Sequence, residues 1–526
     1  MGACFIILFI MSAAFFVKIF NSCGKRTSHQ LPPGPPTIPF FGNLLWLLLK
    51  PLPHVKALSL SLRERYGPIY TLYMGSKPLI IIASHSLAHQ ALISNAATFA
   101  DRPQAMATDK FLSCDQHNIT LAFYGPTWLR LRRNLTSNII NSSRSTSFAC
   151  ARKWVLDSLI NRLKSLSSSD EYHHIEVREH IQHALFSLFA LICFGEKLED
   201  DKIQHIKDLQ QRLQSSFDRF KLMNLFPSLG KFLFRKRWEE LHRLRRDQEK
   251  VFVPLIRARK AMREEIYEND HDHDHSRVEP FLPYVDTLFD VHLIEEKRKL
   301  EEQEIVALCS EFFTGGTDTT STALEWIMAN LVKHPQIQDK LLKEIKGVIS
   351  GGEVEIKGED LGKMPYLRAV ILESLRLHPP AHFLIPRSVT KDVVLGGFLV
   401  PKNSIVTFMV ADMGRNGDVW ENPMEFKPER FLSNGNGRKD FDVTGTKEIK
   451  MMPFGAGTRM CPAYRLALLH LEYFLANLIL HFHFECANED LDLTEKHEFT
   501  TVIRNPLQVQ ITPRPMIMNP LVFNVE

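Results

Sequence analysis

The sequence predicts a mainly α-helical chain folded as one large domain behind an apolar N-terminus, and three observations lead there. Ile305, Leu308, Cys309 and Phe312 recur at helical spacing, and Leu324, Ile327, Met328 and Leu331 resume it after a polar knot. Leu466, Leu469, Phe474, Leu475 and Leu478 repeat the pattern near the C-terminus. No Gly/Ser linker, repeat or long biased segment divides the 526 residues after residue 40, and 44% hydrophobic residues suffice for a single core.

Residues 1–22 are expected to form a transmembrane signal anchor. Ala3 to Val17 is nearly all apolar, and Lys18 with Phe20 extends it by snorkelling toward the ~20 residues a span needs. The alternative is a cleaved signal peptide, but no basic residue precedes the stretch and no small-x-small site follows it. Lys18, Lys25 and Arg26 lie on its C-terminal side, which predicts a single-pass protein of the endoplasmic reticulum membrane with a cytosolic body. Residues 23–40 read as a basic and proline-rich hinge, in which Leu31-Pro32-Pro33-Gly34-Pro35-Pro36 forbids helix and makes a stiff, extended spacer. Residues 41–526 form the domain that follows.

A formal net charge of +4, evenly mixed, argues against a nucleic-acid binder. The 8 cysteines have no spacing pattern, as for reduced thiols on the cytosolic side. Asn118, Asn134 and Asn141 each begin an Asn-x-Ser/Thr sequon, which a cytosolic body leaves unglycosylated. Phe226, Leu229, Phe232, Leu233 and Phe234 sit among Lys231, Arg235, Lys236 and Arg237, suiting either a core segment or a loop dipping into lipid. The alternating Asp270-His271-Asp272-His273-Asp274-His275 reads as a solvated loop without fixed ligand geometry. No Gly-x-Gly-x-x-Gly follows a strand, so no nicotinamide or flavin module is expected.

Three stretches carry chemistry. Gly315-Gly316-Thr317-Asp318-Thr319-Thr320 interrupts the central helix, where two glycines cost about 1 kcal/mol each relative to alanine. Such a weak point suits a locally opened turn. Glu373 and Arg376 share one helical face, in reach of an i,i+3 ion pair, and His378-Pro379-Pro380 ends that helix. Phe454-Gly455-Ala456-Gly457-Thr458-Arg459-Met460-Cys461 delivers one cysteine to the mouth of the last helix, where free amides and the helix dipole favour the thiolate, a soft metal ligand. A single cysteine cannot build a zinc or iron–sulfur site. A helix-start thiol without a partner is the bland alternative.

Together these stretches resemble cytochromes P-450, most closely the plant microsomal members. Phe454, Gly457, Arg459 and Cys461 match the haem-binding signature, with Ala463 at its final glycine; Gly315–Thr320 matches the oxygen-activation motif. Glu373-x-x-Arg376, Pro428-Glu429-Arg430-Phe431 and Trp128-x-x-x-Arg132 follow the family's order, and the likeness runs from about Leu31 to the C-terminal end.

The resemblance implies small β-sheets beside the helices and a haem-thiolate catalytic domain over residues 41–526. It implies haem b (iron protoporphyrin IX) with Cys461 as metal ligand, and Phe454 beside it. Trp128, Arg132, Arg387 and Arg459 would hold the propionates, with Arg130 and Arg133 facing out. Asp318 and Thr319 would be the catalytic pair, since reductive O–O cleavage needs two protons. Arg430 would join Glu373 and Arg376 in a network.

The implied activity is monooxygenation of a small lipophilic substrate with O2 and electrons from NADPH–cytochrome P-450 reductase. The substrate side would be built from Phe111–Phe123, the Gly315 region, Ala381–Ile385 and Thr500–Val502. His382 there would orient a substrate oxygen or satisfy a backbone carbonyl. A peroxide-rearranging isomerase or dehydratase of the same fold, and a membrane-anchored haem- or steroid-binding protein without turnover, are the alternatives.

Overall fold

The computed structural model describes residues 30–515 except 39–41, 44–51, 169–173, 221–222, 224–232, 270–281, 350–354, 434–440 and 488–490. The predicted anchor over residues 1–22, the His/Asp run at 270–275 and residues 226–232 lie outside the described residues. Among the described residues no helix is long and apolar enough to cross a membrane.

The architecture is mainly helical with small sheets, as expected. The helices that frame the centre are α1 (Pro126–Asn138), α2 (Val177–Phe194), α3 (Glu302–Gly316), α4 (Asp318–Lys333), α5 (Pro365–Leu377) and α6 (Tyr464–His481). They form because apolar residues recur at helical spacing, and they stop where the chemistry changes. Proline opens α1 and α5 at N1, a capping box between Glu301 and Glu304 opens α3, and Gly195 at φ 81 closes α2. Trp326, Ile327, Met328 and Leu331 of α4 and Leu475, Leu478 and Ile479 of α6 are fully buried in one continuous core. Each such side chain contributes about 1.5–3 kcal/mol relative to leaving it in water.

The predicted single central helix divides into α3 and α4 at Thr317 (φ −89°, ψ −58°). Thr317 and Thr319 each turn a hydroxyl back onto the carbonyl four residues earlier, Phe313 and Gly315, at 2.8 Å. Such back-bonding bends a helix. Gly316 packs tightly there, since a Cβ would stand 1.9 Å from the Phe189 ring and the ring would have to move.

A four-stranded sheet packs at one edge, in the order β1 (Ile69–Met74), β2 (Lys77–Ile82), β4 (Ile405–Phe408), β3 (Arg387–Ser388). β1 and β2 pair antiparallel, while β2 and β4 run parallel with Leu79 opposite Ile405. A hairpin of β5 (Glu495–His497) and β6 (Thr501–Ile503) follows α6.

The proline-rich segment is extended, but its C-terminal part is not a free spacer. Pro33 accepts the Thr71 amide of β1 at 2.8 Å, Pro36 accepts the Asn43 side-chain amide at 3.1 Å, and Gln30 accepts the Leu399 amide at 3.0 Å. Prolines cannot donate, yet their carbonyls still accept, and that is enough to dock the segment on the domain.

Candidate active site

Below α6 the glycine-rich loop folds back on itself. Gly455 and Gly457 both adopt φ 70°, and a Cβ on Gly457 would lie 2.0 Å from the Leu92 carbonyl oxygen. The Cys461 amide donates to the Phe454 carbonyl at 2.8 Å, closing the loop so that the sulfur stands just before α6. Phe454 is half-buried and tilts against Tyr464. Burial pushes the Cys461 thiol up, while the Ala463 amide and Arg132 pull it down. The pull of the helix start is thus present, but in the protein alone burial outweighs it; a bound cation would reverse that balance. Ala463 has φ −98°, open to any residue, so the methyl in place of the signature glycine causes no backbone strain.

Around this loop lie the predicted arginines. Arg132 on α1 donates to the Met460 carbonyl at 2.6 Å. Arg459 donates to the carbonyls of Ala100 at 2.7 Å and Ala122 at 2.6 Å, and its guanidinium stacks 4.2 Å over the Trp128 ring. Trp128 donates its indole N–H to the Ile119 carbonyl at 3.1 Å and also presents its ring to Arg132, at 5.4 Å. Arg130 and Arg133 face solvent, as expected.

Arg102 joins the cluster although no motif pointed to it. Its guanidinium donates to the carbonyls of Thr120 at 2.7 Å and of Ile385 and Pro386 at 2.8 Å each. Among the described residues Arg387 on β3 donates to the Phe99 carbonyl, at 3.4 Å, and its buried Nε has no hydrogen-bond partner. Burial depresses all three, Arg459 to about 10, Arg102 to about 9 and Arg387 well below the usual range; neighbouring arginines add repulsion, while Asp101 offsets part of the loss at Arg459 and Arg102. A buried set of cations with an orphaned donor suits a dianionic ligand, since guanidinium pairs bidentately with carboxylate. The two propionates of haem meet that requirement beside a thiol, so the residues present fit the group.

On the central helix Asp318 is only 4% exposed. One carboxylate oxygen accepts from Arg178 and Gln182 of α2, both at 3.3 Å, and the other accepts from Thr500 at 2.8 Å. Burial pushes its carboxyl above the ordinary range, against the pull of Arg178 and Thr500. Asp318 forms one wall of a polar cavity of about 1020 Å³ between α2, the helix Asp200–Phe220 and the β5–β6 hairpin. Thr319 is half-buried, and no atom outside the local helix lies within 4 Å of where a Gly315 Cβ would stand.

The remaining expectations divide. Glu373 and Arg376 are both fully buried and paired at 2.7 Å and 2.8 Å, and Arg430 reaches Glu373 at 3.2 Å. Arg376 also donates to the carbonyls of Gly414 and Pro423, so α5 is bolted to the segment that leads to the cysteine loop. The His382 ring lies 3.4 Å from the Glu495 carboxylate. Thr500 turns toward Asp318 and Thr322 instead of standing only as a substrate contact. None of the described cysteines, Cys114, Cys150, Cys193, Cys309, Cys461 and Cys486, is in a disulfide.

A family model described as "Cytochrome P450" matches residues 32–513. Cytochrome P450 89A9 of Arabidopsis thaliana is 46% identical over 520 residues, covering 97% of this chain and 99% of the relative. Phenylacetaldehyde oxime monooxygenase of Prunus mume is 30% identical, covering 93% and 90%. Tabersonine/lochnericine 19-hydroxylase of Catharanthus roseus is 30% identical, covering 96% of each. With the cysteine loop, the buried arginines and a match over nearly its whole length, the chain belongs to the cytochrome P450 family, as a haem-thiolate monooxygenase that uses haem b.

Proposed function

We propose that the enzyme inserts one oxygen atom into a small lipophilic metabolite: RH, O2, NADPH and a proton become ROH, NADP⁺ and water. Electrons come from NADPH–cytochrome P450 reductase, since no nicotinamide or flavin motif stands in the chain. The reductase docks on the basic surface near the cysteine loop, to which the exposed Arg130 and Arg133 contribute. One N-terminal span over residues 1–22 and the hinge that follows hold the body on the cytosolic face of the endoplasmic reticulum. Leu233, 65% exposed beside Arg235 and Lys236, favours a second contact with lipid. The burial of Asn118 and the Asn134–Thr287 hydrogen bond favour unglycosylated sequons.

Bound haem supplies the redox-active iron at which dioxygen is reduced and split. Cys461 would ligate that iron, with Phe454 beside it. Trp128, Arg132, Arg387 and Arg459 would hold the propionates, joined by Arg102, with the Trp128 ring supporting Arg459 and Arg132. Asp318 holds a proton at its carboxyl oxygen, and the Thr319 hydroxyl passes it into the space beside Gly315. The observation that carries this reading is the buried, hydrogen-bonded Asp318. Peroxide rearrangement needs no outside protons, and a binding protein needs no acid there.

Carbon monoxide added to the reduced protein should give the far-shifted Soret band of a thiolate-ligated haem, and Cys461→Ser should abolish it. A panel of lipophilic compounds should then yield a product that needs both NADPH and reductase. Turnover of hydroperoxides without NADPH, with none in its presence, would replace this reading by the rearrangement chemistry.

A further inference from the structure

The tip of the β5–β6 hairpin reaches into the side of α4. Its approach is anchored three times. Glu495 pairs with Arg415, the Thr501 amide donates to the Pro380 carbonyl at 2.8 Å, and Trp326 of α4 donates its indole N–H to the Thr501 carbonyl at 2.8 Å. Between these anchors Thr500 is 4% exposed, with its hydroxyl 2.8 Å from Asp318 and 2.9 Å from the fully buried Thr322 hydroxyl. From the geometry we infer that Thr500 is a positioning residue: it fixes the free oxygen of Asp318 and makes both of that acid's protonation states tolerable in a buried site. The inference rests on the reading of Asp318 as the proton-handling acid.

Hydroxyls donate one hydrogen and accept with two lone pairs, whereas guanidinium only donates. When Asp318 is ionised, Thr322 can donate to Thr500 and Thr500 to the carboxylate. When Asp318 holds a proton, the chain can run the other way, from Asp318 to Thr500 to Thr322. On the opposite oxygen Arg178 cannot reverse and favours the charged form alone, and Gln182 could reverse only by turning its amide over, away from the Gln211 amide that its oxygen now accepts at 3.2 Å. A buried acid that gains and loses a proton in each cycle would otherwise leave a polar atom unpaired in one of its two states. Thr500 removes that penalty. Other charges facing the site are Glu498 on the hairpin tip and Glu325 one face down α4; both repel the Asp318 charge, and Arg178 is shared between Asp318 at 3.3 Å and Glu325 at 3.5 Å.

The test uses the haem-loaded full chain with Thr500→Val, which keeps the shape, and Thr500→Ser, which keeps the hydroxyl. Apparent melting temperature is read at pH 5.5 and pH 8. The Val variant should melt below wild type at both pH values, since Thr500 serves both states of the acid. The Ser variant should follow wild type, and in an Asp318→Ala background the Val deficit should shrink. A deficit confined to one of the two pH values, or one unchanged without Asp318, overturns the inference, because a threonine that serves one state only, or a purely structural one, behaves that way.

A second arm reads peroxide released per NADPH in reductase-reconstituted turnover, with 7-ethoxycoumarin as the lipophilic probe. Thr500→Val and Asp318→Asn should both raise it severalfold, and Thr500→Ser should not. If Asp318→Asn leaves it unchanged, the reading of the acid fails; if Asp318→Asn raises it and Thr500→Val does not, only the role of Thr500 fails.

Discussion

Arg387 carries a guanidinium that no acidic group among the described residues balances. It is 2% exposed, its Nε has no hydrogen-bond partner, and Arg102, Arg459 and Arg132 push its charge away after burial has already done so. Such a group is unfavourable for the polypeptide and favourable only toward an anion. Arg387→Met should therefore fold normally while lowering the haem retained per protein severalfold, as read by haem extraction and absorbance after gel filtration. Full haem occupancy in that variant would remove Arg387 from the propionate set. For Thr319 the expectation is different. Its hydroxyl is held at 2.8 Å by the Gly315 carbonyl, so Thr319→Ala removes a proton route without opening the core. Product per NADPH should fall about tenfold while NADPH oxidation continues and peroxide accumulates. Unchanged coupling would exclude the hydroxyl.

At this scale the sequence exposes residues that sit in motifs and hides those placed by distant backbone. Arg132, Arg459 and Cys461 stand in patterned stretches and meet around one loop. Arg102 and Thr500 stand in none. Each matters only because carbonyls of residues 120, 385 and 386, or a carboxylate at position 318, are brought to it from far along the chain.

Among the elements, the central helix is where local cost and tertiary need separate most clearly. Gly315 and Gly316 look equivalent as letters. In the fold, a Cβ on Gly316 would meet the Phe189 ring at 1.9 Å, whereas Gly315 faces open space. Gly316→Ala should thus destabilise by about 1–3 kcal/mol through overpacking against α2. Gly315→Ala should be neutral or stabilising by up to about 1 kcal/mol, from helix propensity alone. Denaturant unfolding of the two variants side by side measures the contrast, and equal effects would show that the α2–α3 contact does not constrain the motif. The helices themselves are legible in advance because their apolar periodicity is strong and their ends carry proline or glycine. The opened turn in the central helix is legible from its paired glycines, but its place at Thr317 is not, since it depends on two threonine hydroxyls competing for backbone carbonyls. Nor is the docking of the proline-rich segment, because it is made by carbonyls that every sequence possesses. The two-residue strand β3 carries no periodicity at all, yet it is what sets Arg387 opposite Val406 and inside the cluster.

Across the whole molecule, buried ionisable groups set how stability follows pH, and they act on opposite sides of neutrality. On the acid side, burial and then Arg152 depress the His470 imidazole to about 3. Its unfolded form takes up a proton at higher pH than its folded form, so its share of stability is present above about 6.5 and lost as pH falls toward 3. Glu495 adds to that limb: although burial raises it, hydrogen bonds from His378, His382 and Arg415 hold its carboxyl far below the usual range. On the neutral side Glu325 works the other way. It is 1% exposed, and burial raises its carboxyl from 4.5 to about 7 against the pull of Arg178. A raised carboxyl means stability that is fully present below 4.5 and lost as pH rises toward 7, where the folded protein must finally ionise a buried group. Glu325→Gln removes that loss and keeps an oxygen for the Leu507 amide, 3.4 Å away. Relative to wild type the variant should gain less than about 1 kcal/mol at pH 5 and up to about 3 kcal/mol at pH 8, most of the difference arising between those values. Denaturant unfolding followed by tryptophan fluorescence at pH 5, 6.5 and 8 reads it directly. A gain that does not grow with pH would mean that Arg178 neutralises Glu325 fully, leaving correspondingly less positive charge for Asp318 on the same helix.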